Sequence, residues 1–301
     1  MSSEGTSETA GGEEVWTVKK VLDWTIGHLK QHGSESPRLD AEILLAHARG
    51  CQRIQLYTQY DTPLTSAERS TMRDLVKRRA TLEPVAYLVG FREFFGLDFE
   101  VNAGVLIPRP DTESLVMTAL DLLKELPSPA VLDLCTGTGC VPVAIASNCH
   151  SAVLTAIELD ERACQIAQRN IEKHKLTDRI TLLQGDLFEP LEGETSFDVI
   201  TANPPYVTDA EMDTLRPDIR LHEPRLALFG GSDGLDLVRR LIVDAMPRLK
   251  SGGALLLEIG ESQSKEVIQL FAAAGEYEPA QVVKDLGGHS RVVWAHRKLN
   301  N

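Results

Sequence analysis

The segment Asn203–Pro204–Pro205–Tyr206 has the residue types with the clearest chemical use in this chain of 301 residues. It directly follows residues 197–202, an apolar and β-branched run that is typical of a buried strand, and the two prolines cannot continue that strand. In open α/β sheets, ligands bind beyond the carboxyl ends of the strands. An amide side chain, carbonyls without a local donor and an aromatic ring could therefore hold a planar amino or amide group. The alternative is a rigid turn with a packed tyrosine.

An amide nitrogen is a weak nucleophile because its lone pair is shared with the carbonyl, so a catalyst must orient the NH2 group. The Asn203 side-chain oxygen and the Pro204 backbone carbonyl could each accept one N–H, which would leave the lone pair facing an electrophile. Tyr206 would pack beside the amide plane. Orientation of this kind is worth up to ~7–11 kcal/mol, and two acceptors favour positive charge on the nitrogen. We therefore predict that Asn203, Pro204 and Tyr206 are catalytic, with Pro205 as a further substrate-binding residue.

Two earlier strand ends have the residues expected of a nucleoside site. The predicted strand 130–134 leads into the turn Cys135–Thr136–Gly137–Thr138–Gly139, whose glycines allow close approach of the backbone to a ligand. The next strand ends about twenty residues later at Glu158, whose carboxylate can accept both hydroxyls of a ribose. A glycine turn alone is weak evidence, but the two strand ends together predict nucleoside binding.

A third strand end narrows the ligand to an adenosine compound. Leu187 could contact an adenine ring, and Asp186 would lie near its amino group. Pro142 stands where the dinucleotide fingerprint requires a third glycine, and no phosphate-binding lysine is present, so a nucleoside without pyrophosphate is favoured. The sulfonium of S-adenosylmethionine suits such a site because it requires carboxylates and carbonyls. A nicotinamide-dependent oxidoreductase is the alternative, disfavoured by Pro142 and by the lack of a hydride-relay group.

Alternating strands and helices from residue 130 onward predict a mainly parallel sheet of seven strands with helices on both faces. The expected strands are 130–134, 152–158, 179–184, 197–202, 253–259, 280–285 and 291–297. The expected helices are about 140–149, 161–174, 235–249 and 262–274. The last two strands are joined by a turn too short for a parallel crossover, so we expect an antiparallel strand at one edge of the sheet. The sequence thus predicts a Rossmann-like α/β fold.

Composition changes along the chain predict a lead-in, a helical bundle, a β-hairpin linker and a catalytic domain. Their bounds are 1–14, 15–90, 91–107 and 108–301. The lead-in is rich in Ser, Gly, Glu and Thr and is expected to be disordered, whereas the bundle repeats apolar residues at the spacing of four or five helices. The bundle has no catalytic grouping, and we expect it to dock a protein substrate. The catalytic domain begins with a helix reaching about Leu126, with Asp111 or Thr112 as its cap.

The net charge of −13 is concentrated after residue 90, where the chain carries −12 of it. An acidic catalytic domain binds polyphosphates poorly, so we expect no direct contact with nucleic acid. The small cluster Lys77–Arg78–Arg79 is typical of a solvated helix face. Five cysteines without paired spacing predict neither a disulfide framework nor a zinc site. With no signal peptide and no membrane-spanning run, they favour a reducing cytoplasm, and a monomer is expected.

Taken together, the motifs resemble the class I S-adenosylmethionine-dependent methyltransferases, and within them the release-factor glutamine methyltransferase family (PrmC/HemK). The resemblance runs from about Pro84 to the end of the chain and is weaker through the helical part. The segments that carry it are Pro84–Leu88, Phe94–Gly96, Val105–Glu113, Leu132–Leu134, Thr136–Cys140, Asn203–Val207, Glu223–Pro224 and Gly231–Leu235. The set is specific, although Asn-Pro-Pro-Tyr alone also occurs in DNA adenine and RNA amino-methyltransferases.

This resemblance implies methyl transfer from S-adenosylmethionine, with S-adenosylhomocysteine as product, to the glutamine of a Gly-Gly-Gln loop in class 1 peptide chain release factors. The family's cofactor residues correspond to Cys135, Thr136, Gly137, Thr138, Gly139, Glu158, Leu187 and Asn203, and its substrate motif to Asn203–Tyr206. Cys135 stands where a glycine is usual, Glu158 where aspartate is common, and Leu187 where an aromatic residue can occur. The alternatives are a glutamine of a ribosomal protein, an amino group of a nucleic acid, or a non-enzymatic adaptor.

Overall fold

The structure, a computed structural model, describes residues 15–285 and 287–299. The lead-in predicted for residues 1–14 lies outside the described residues. The chain divides into two compact units, the first ending at Val89 and the second beginning at Gly90, so the β-hairpin belongs to the second unit. Within the described ranges, none of the helices combines the length and the apolar composition that a bilayer span requires.

The first unit is helical, as the spacing of its apolar residues predicts. Its described helices are α1 Val18–Gln31, α2 Pro37–Arg49, α3 Arg53–Thr58, α4 Ser66–Ala80 and α5 Val85–Val89. Thr65 and Glu68 form the predicted capping box at the start of α4, since each side chain accepts an N–H from the other residue's backbone. Leu29, Leu44 and Leu45 have no exposed surface. The apolar stripes of α1 and α2 therefore pack in the core of this unit, together with buried residues of α3, α4 and α5.

One basic residue of the first unit is not solvated as its sequence context predicts. Arg79 is 7% exposed, and its guanidinium Nε donates to Oδ2 of Asp40 at 2.8 Å. Its Nη1 also donates to the backbone carbonyl of Glu83 at 3.2 Å. The expectation of a solvated face is therefore wrong for Arg79, because an acid 39 residues earlier in the chain pairs with it. Lys77 and Arg78 are exposed, as expected.

The second unit begins with the predicted hairpin. Its strands are β1 Phe91–Phe94 and β2 Leu97–Glu100, which pair antiparallel. Phe95 and Gly96 form the connecting turn with φ values of 52° and 72°. Positive φ at both positions is what a two-residue hairpin turn of this kind requires.

Helix α6, which follows the hairpin, lacks the side-chain cap that the sequence predicts. It spans Glu113–Leu123 after the 3-10 turn Pro110–Thr112, and neither turn receives a side-chain capping bond. Thr112 occupies the predicted N-cap position of α6, but its side chain does not cap the helix. The Thr112 hydroxyl instead accepts a hydrogen bond from the side chain of Asn203.

The rest of the second unit has the predicted Rossmann-like α/β fold. Its strands are β3 Ala130–Leu134, β4 Val153–Glu158, β5 Ile180–Gln184, β6 Phe197–Ala202, β7 Leu249–Glu258, β8 Gln281–Lys284 and β9 Ser290–His296, in the order β5-β4-β3-β6-β7-β9-β8. Strands β3 to β7 run parallel, and β9 pairs antiparallel with both β7 and β8. The predicted antiparallel pair at one edge is confirmed, with β9 lying between β7 and the edge strand β8.

The helices of this unit include two that the sequence did not predict. The helices after α6 are α7 Cys140–Asn148, α8 Glu161–Lys173, α9 Asp209–Met212, α10 Pro217–His222, α11 Asp236–Ala245 and α12 Ser264–Ala274. The four longest correspond to the predicted helices. Helices α9 and α10 are too short to show an apolar period, so the pattern of the sequence could not reveal them.

The parallel register brings the ends of four strands to one edge of the sheet. Leu134 at the end of β3 lies opposite Ile157 of β4 and Ala202 of β6, while Glu158 lies opposite Gln184 of β5. Of these strands, β3 and β6 are mostly buried, as expected where helices cover both faces of a parallel sheet. The polar residues that follow the four strand ends must therefore lie near one another.

Candidate functional site

A pocket at this edge of the sheet brings together most of the predicted site residues. Those that line it are Cys135, Thr136, Gly137, Thr138, Glu158, Asp186, Leu187, Asn203 and Pro205. Gly139, Pro204 and Tyr206 are not among its lining residues. Arg109 and Pro224, which lie on separate loops, also line this pocket. One pocket thus joins the predicted nucleoside end to the predicted acceptor end.

Glu158 organises the nucleoside end through backbone amides. Its Oε2 accepts from the amide of Gly137 at 2.7 Å, and its Oε1 accepts from the amides of Leu159 and Asp160 at 2.9 and 3.0 Å. Burial raises the pKa of Glu158, and the same three amides oppose that shift. A carboxylate has roughly four lone-pair positions, so Oε2 can still accept one ribose hydroxyl. A second hydroxyl would have to replace one of the amides.

The turn after β3 depends on positive φ angles. Cys135, Gly137 and Gly139 have φ values of 56°, 55° and 78°, and a side chain is disfavoured in this conformation. Cys135 therefore occupies a position suited to glycine, and burial strongly raises the pKa of its thiol. Gly139 faces α8 rather than the pocket, since a Cβ atom there would lie 3.4 Å from Cβ of Ala167. Gly139 thus supports the packing of the turn against that helix.

Carboxylates surround the pocket beyond Glu158. Asp133 lines it, is 1% exposed and accepts from the hydroxyls of Thr136 and Thr201, the latter at 2.7 Å. Burial raises the pKa of Asp133 to about 7, against the effect of those hydroxyls. Asp186 also lines the pocket and accepts from Arg240 at 2.9 Å. Such surroundings suit a ligand that carries positive charge rather than phosphate.

Asn203 marks the acceptor end of the pocket. Its Nδ2 donates to Oγ1 of Thr112 at 3.2 Å. With the nitrogen engaged on that side, the amide oxygen of Asn203 is left to accept a hydrogen bond from a ligand. The neighbouring Pro204 is buried, and its carbonyl accepts no backbone hydrogen bond from the described residues. Both acceptors that the sequence predicts are therefore without a competing backbone donor.

The backbone after Asn203 is held by a second loop and by a glutamine. A Cβ atom on Gly230 would lie 2.4 Å from the Pro205 carbonyl oxygen, and one on Gly234 would lie 2.2 Å from that of Tyr206. Only glycine permits such close approach. Gln263 Nε2 donates to the Tyr206 carbonyl at 3.1 Å. The Tyr206 side chain is half-buried, and burial raises the pKa of its hydroxyl.

An ion pair joins the two loops that wall the acceptor end. Arg109 Nη2 lies 2.6 Å from Oε1 of Glu223, whose side chain is 2% exposed. The other oxygen of Glu223 accepts from the amide of Ile107 at 3.2 Å. Burial raises the pKa of Glu223, and Arg109 opposes that shift. Arg109 thus compensates a carboxylate that the fold places almost entirely out of water.

Replacing Arg109 with alanine should lower the free energy of unfolding by about 3 kcal/mol, because it leaves the buried Glu223 carboxylate without its cation. Urea unfolding followed by circular dichroism measures this change. The matched control is Lys124→Ala, which removes the exposed pair between Lys124 and Asp121 and should change stability by less than about 0.5 kcal/mol. Equal losses in the two variants would show that burial of Glu223 adds nothing.

Sequence reasoning missed Glu258, the last residue of β7, which is 1% exposed. Burial raises its pKa to about 7, while hydrogen bonds from Thr112 and Asn203 lower it. A polar residue directly after the apolar run of a predicted strand is the same signal that identified Asn203, and it could have identified Glu258. Thr112 was missed because its sequence position is that of a helix cap. Arg109 and Glu223 were missed because no local sequence pattern links residues so far apart.

Comparisons with known proteins show the family to which the chain belongs. The sequence model of the PrmC N-terminal domain matches residues 20–90, and that of the methyltransferase small domain matches residues 110–218. A release factor glutamine methyltransferase of Rhodopirellula baltica is 46% identical over 282 residues, covering 92% of this chain and 95% of the relative. Another of the same description, from Geobacter sulfurreducens, is 44% identical over 280 residues, covering 93% and 96%.

Solved structures share the fold at lower identity. A methyltransferase from Pyrococcus furiosus is 19% identical with a TM-score of 0.51, covering 74% of this chain and 99% of its own. The N-terminal domain of human METTL16, solved in complex with SAH, is 20% identical with a TM-score of 0.52, covering 76% and 84%. At these identities the likeness concerns the fold alone, and it supports the Rossmann-like architecture.

Proposed function

The chain belongs to the release factor glutamine methyltransferase family, and we propose that it transfers the methyl group of S-adenosylmethionine to the side-chain amide nitrogen of a glutamine in a protein. The names of its relatives support a release factor as the protein whose glutamine is methylated. The family resemblance further implies a class 1 peptide chain release factor, with the glutamine of its Gly-Gly-Gln loop as the methylated residue. The observation that carries the proposal is that one pocket is lined both by Glu158, the last residue of β4, and by Asn203, the first residue after β6.

The residues around the nucleoside end fit S-adenosylmethionine. This cofactor supplies a methyl carbon made electrophilic by its sulfonium. Glu158 offers an acceptor for a ribose hydroxyl, and Leu187 is an apolar wall for the adenine. Asp133 and Asp186 add carboxyl groups to this end of the pocket, with Asp186 paired to Arg240, and carboxylates favour a cationic ligand. Binding of a cation beside the buried carboxylates should also lower their raised pKa values.

The acceptor end provides what an amide nucleophile needs. The Asn203 side-chain oxygen and the Pro204 carbonyl would each accept one N–H of the substrate glutamine, which directs the nitrogen lone pair toward the methyl group. The same acceptors stabilise the positive charge that develops on the nitrogen. Tyr206 would pack beside the amide plane. The proton leaves after transfer, so no strong base is required.

The assignment of partners and location extends this proposal. We propose that the helical first unit docks the substrate protein and that the enzyme acts as a monomer. The concentration of negative charge after residue 90 argues against direct nucleic-acid binding. The five cysteines are all free thiols, which suits the reducing cytoplasm.

Incubation with cofactor labelled in its methyl group tests the proposed function. A purified class 1 release factor should become labelled, whereas a ribosomal protein and DNA should not. A release factor whose Gly-Gly-Gln glutamine is replaced by alanine is the matched control and should stay unlabelled. Label on the ribosomal protein or on DNA alone would refute the proposed substrate while keeping the methyl transfer.

A further inference from the structure

The Thr112 side chain is available to the functional site because it does not cap helix α6. It occupies the N-cap position of α6, yet its side chain makes no capping hydrogen bond. It is 2% exposed, and its hydroxyl oxygen accepts from Nδ2 of Asn203 at 3.2 Å. A threonine hydroxyl that accepts one hydrogen bond can still donate its own proton. The Thr112 hydroxyl will donate this proton to whichever acceptor lies on the side away from Asn203.

Glu258 is the group that the Thr112 hydroxyl faces. Ala202 and Leu257 are partners in the register of β6 and β7, so the next residues along the two strands, Asn203 and Glu258, are neighbours. The side chains of Thr112 and Asn203 lie close enough to the Glu258 carboxyl to lower its pKa, against the effect of burial. Its Oε2 is buried and accepts no hydrogen bond from the described residues. Burying a carboxylate oxygen without a hydrogen-bond donor costs folding free energy. A carboxylate buried in this way beside Asn203 therefore indicates a functional role.

We propose that the Glu258 carboxylate, acting with Thr112, positions the Asn203 side-chain amide so that its oxygen faces the substrate nitrogen. An ionised carboxylate only accepts hydrogen bonds. It therefore holds the Thr112 proton on its own side and leaves the Thr112 lone pairs for the Asn203 NH2 group. The Asn203 nitrogen is fixed toward Thr112 and Glu258, and its oxygen must point the other way. Glu258 and Thr112 are thus positioning residues, and the inference rests on the proposed function.

The orientation of the amide decides whether the acceptor end works. An asparagine with its NH2 group toward the substrate would present donors to the N–H groups of the glutamine, and the two would repel. Glutamine at position 258 has nearly the shape of glutamate but can donate as well as accept. Glutamine at position 258 would therefore permit either orientation of the Asn203 amide, so that its oxygen would no longer be directed toward the substrate. Glu258→Gln therefore changes the direction of the hydrogen bonds with little change in volume.

The experiment compares Glu258→Gln, Thr112→Val and Thr112→Ser with the wild type under saturating cofactor. We expect kcat for methylation of the release factor to fall about 10- to 100-fold in Glu258→Gln and Thr112→Val, as for a reacting group that is misplaced. Thr112→Ser keeps the hydroxyl and should restore kcat to within about threefold of the wild type. KM for the protein substrate and Kd for S-adenosylmethionine should change much less than kcat, because the two positioning residues act through the orientation of Asn203.

Thr118→Val is the matched control for Thr112→Val. Thr118 lies in the same helix, is 9% exposed and donates to the Ser114 carbonyl at 2.7 Å. It should keep the wild-type kcat, although it loses a buried hydroxyl. Thermal unfolding identifies any variant that is destabilised, and if Glu258→Gln fails to fold, the comparison of Thr112→Val with Thr112→Ser still decides the question.

The pH dependence gives a readout that a structural role would not change. Protonated Glu258 could donate to Thr112 and reverse the chain of hydrogen bonds, so wild-type kcat should fall as the pH drops below about 7, the value to which burial raises the pKa of Glu258. Asp111 raises that pKa and Arg291 lowers it, while the Tyr206 hydroxyl and the Cys140 thiol respond to the charge of Glu258. Asp133 titrates in the same range but is unchanged in Glu258→Gln.

The outcomes separate this inference from the proposed function. Loss of kcat in Glu258→Gln and Thr112→Val, recovery in Thr112→Ser, and a flatter acid limb in Glu258→Gln support the positioning role. An active wild type with unaltered kcat in both Glu258→Gln and Thr112→Val overturns it. If the wild type methylates no release factor, the proposed function fails before the variants are compared.

Discussion

Replacing Asn203 with alanine is expected to lower kcat for glutamine methylation by about 10²- to 10³-fold, the usual cost of losing one well-placed group that stabilises a transition state. The amide oxygen accepts an N–H of the substrate more strongly as positive charge develops on the nitrogen, so its loss acts on the transition state rather than on binding. Isothermal calorimetry should show that the affinity for S-adenosylmethionine falls only modestly. A large loss of kcat with little loss of cofactor affinity is what we expect if Asn203 orients the substrate amide.

Asn148→Ala is the matched control for this variant. Asn148 lies at the end of α7, where its Nδ2 donates to the Ala144 carbonyl at 2.9 Å. The Asn148→Ala variant loses the same amide group away from the acceptor end, so its kcat should stay close to the wild-type value. Turnover of Asn203→Ala within a few-fold of the wild type would contradict the role given to Asn203.

Replacing Glu158 with alanine should weaken S-adenosylmethionine binding by about 10- to 150-fold, which corresponds to one hydrogen bond to a charged group. The carboxylate would no longer accept the ribose hydroxyl. It would also no longer hold the amides of Gly137, Leu159 and Asp160 that shape the turn. Calorimetry measures Kd, and saturating cofactor should recover much of kcat, because Glu158 does not contact the acceptor amide.

Glu161→Ala provides the control for Glu158→Ala. Glu161 lies three residues further along the chain at the start of α8 and is exposed, so it removes one negative charge from the same region without touching the pocket. Its Kd for S-adenosylmethionine should match that of the wild type. A similar loss in both variants would mean that general electrostatics, and not the bonds of Glu158, set the affinity.

The sheet and the main functional residues could be predicted because they follow one local rule. Each strand shows an apolar run, and the residues that act on ligands come directly after such runs, as Glu158 and Asn203 do. The parallel order of the strands then places them at one edge of the sheet. Sequence pattern is sufficient here because the apolar run of each strand and the functional residue that follows it are close together in the chain.

The rest of the site depends on contacts between distant parts of the chain. Arg109 pairs with Glu223, 114 residues away, and no local pattern links the two. Thr112 has the position of a helix cap, but Asn203, 91 residues later, is its hydrogen-bond partner. Arg79 lies in a basic run that is typical of a solvated helix face, but in the first unit it pairs with the buried Asp40. Tertiary contacts override local preference in each case, and Arg109 and Thr112 also line the pocket.

The most direct test of the central claim is to map the methylated residue by mass spectrometry. After incubation of the wild-type enzyme with S-adenosylmethionine and a class 1 release factor, we expect one peptide to gain the mass of a single methylene. Fragmentation should place that gain on the glutamine side chain of the Gly-Gly-Gln loop, and Asn203→Ala enzyme should produce none of it. A methyl group mapped to any other residue type, or to no residue of the release factor, would contradict glutamine methylation by this pocket.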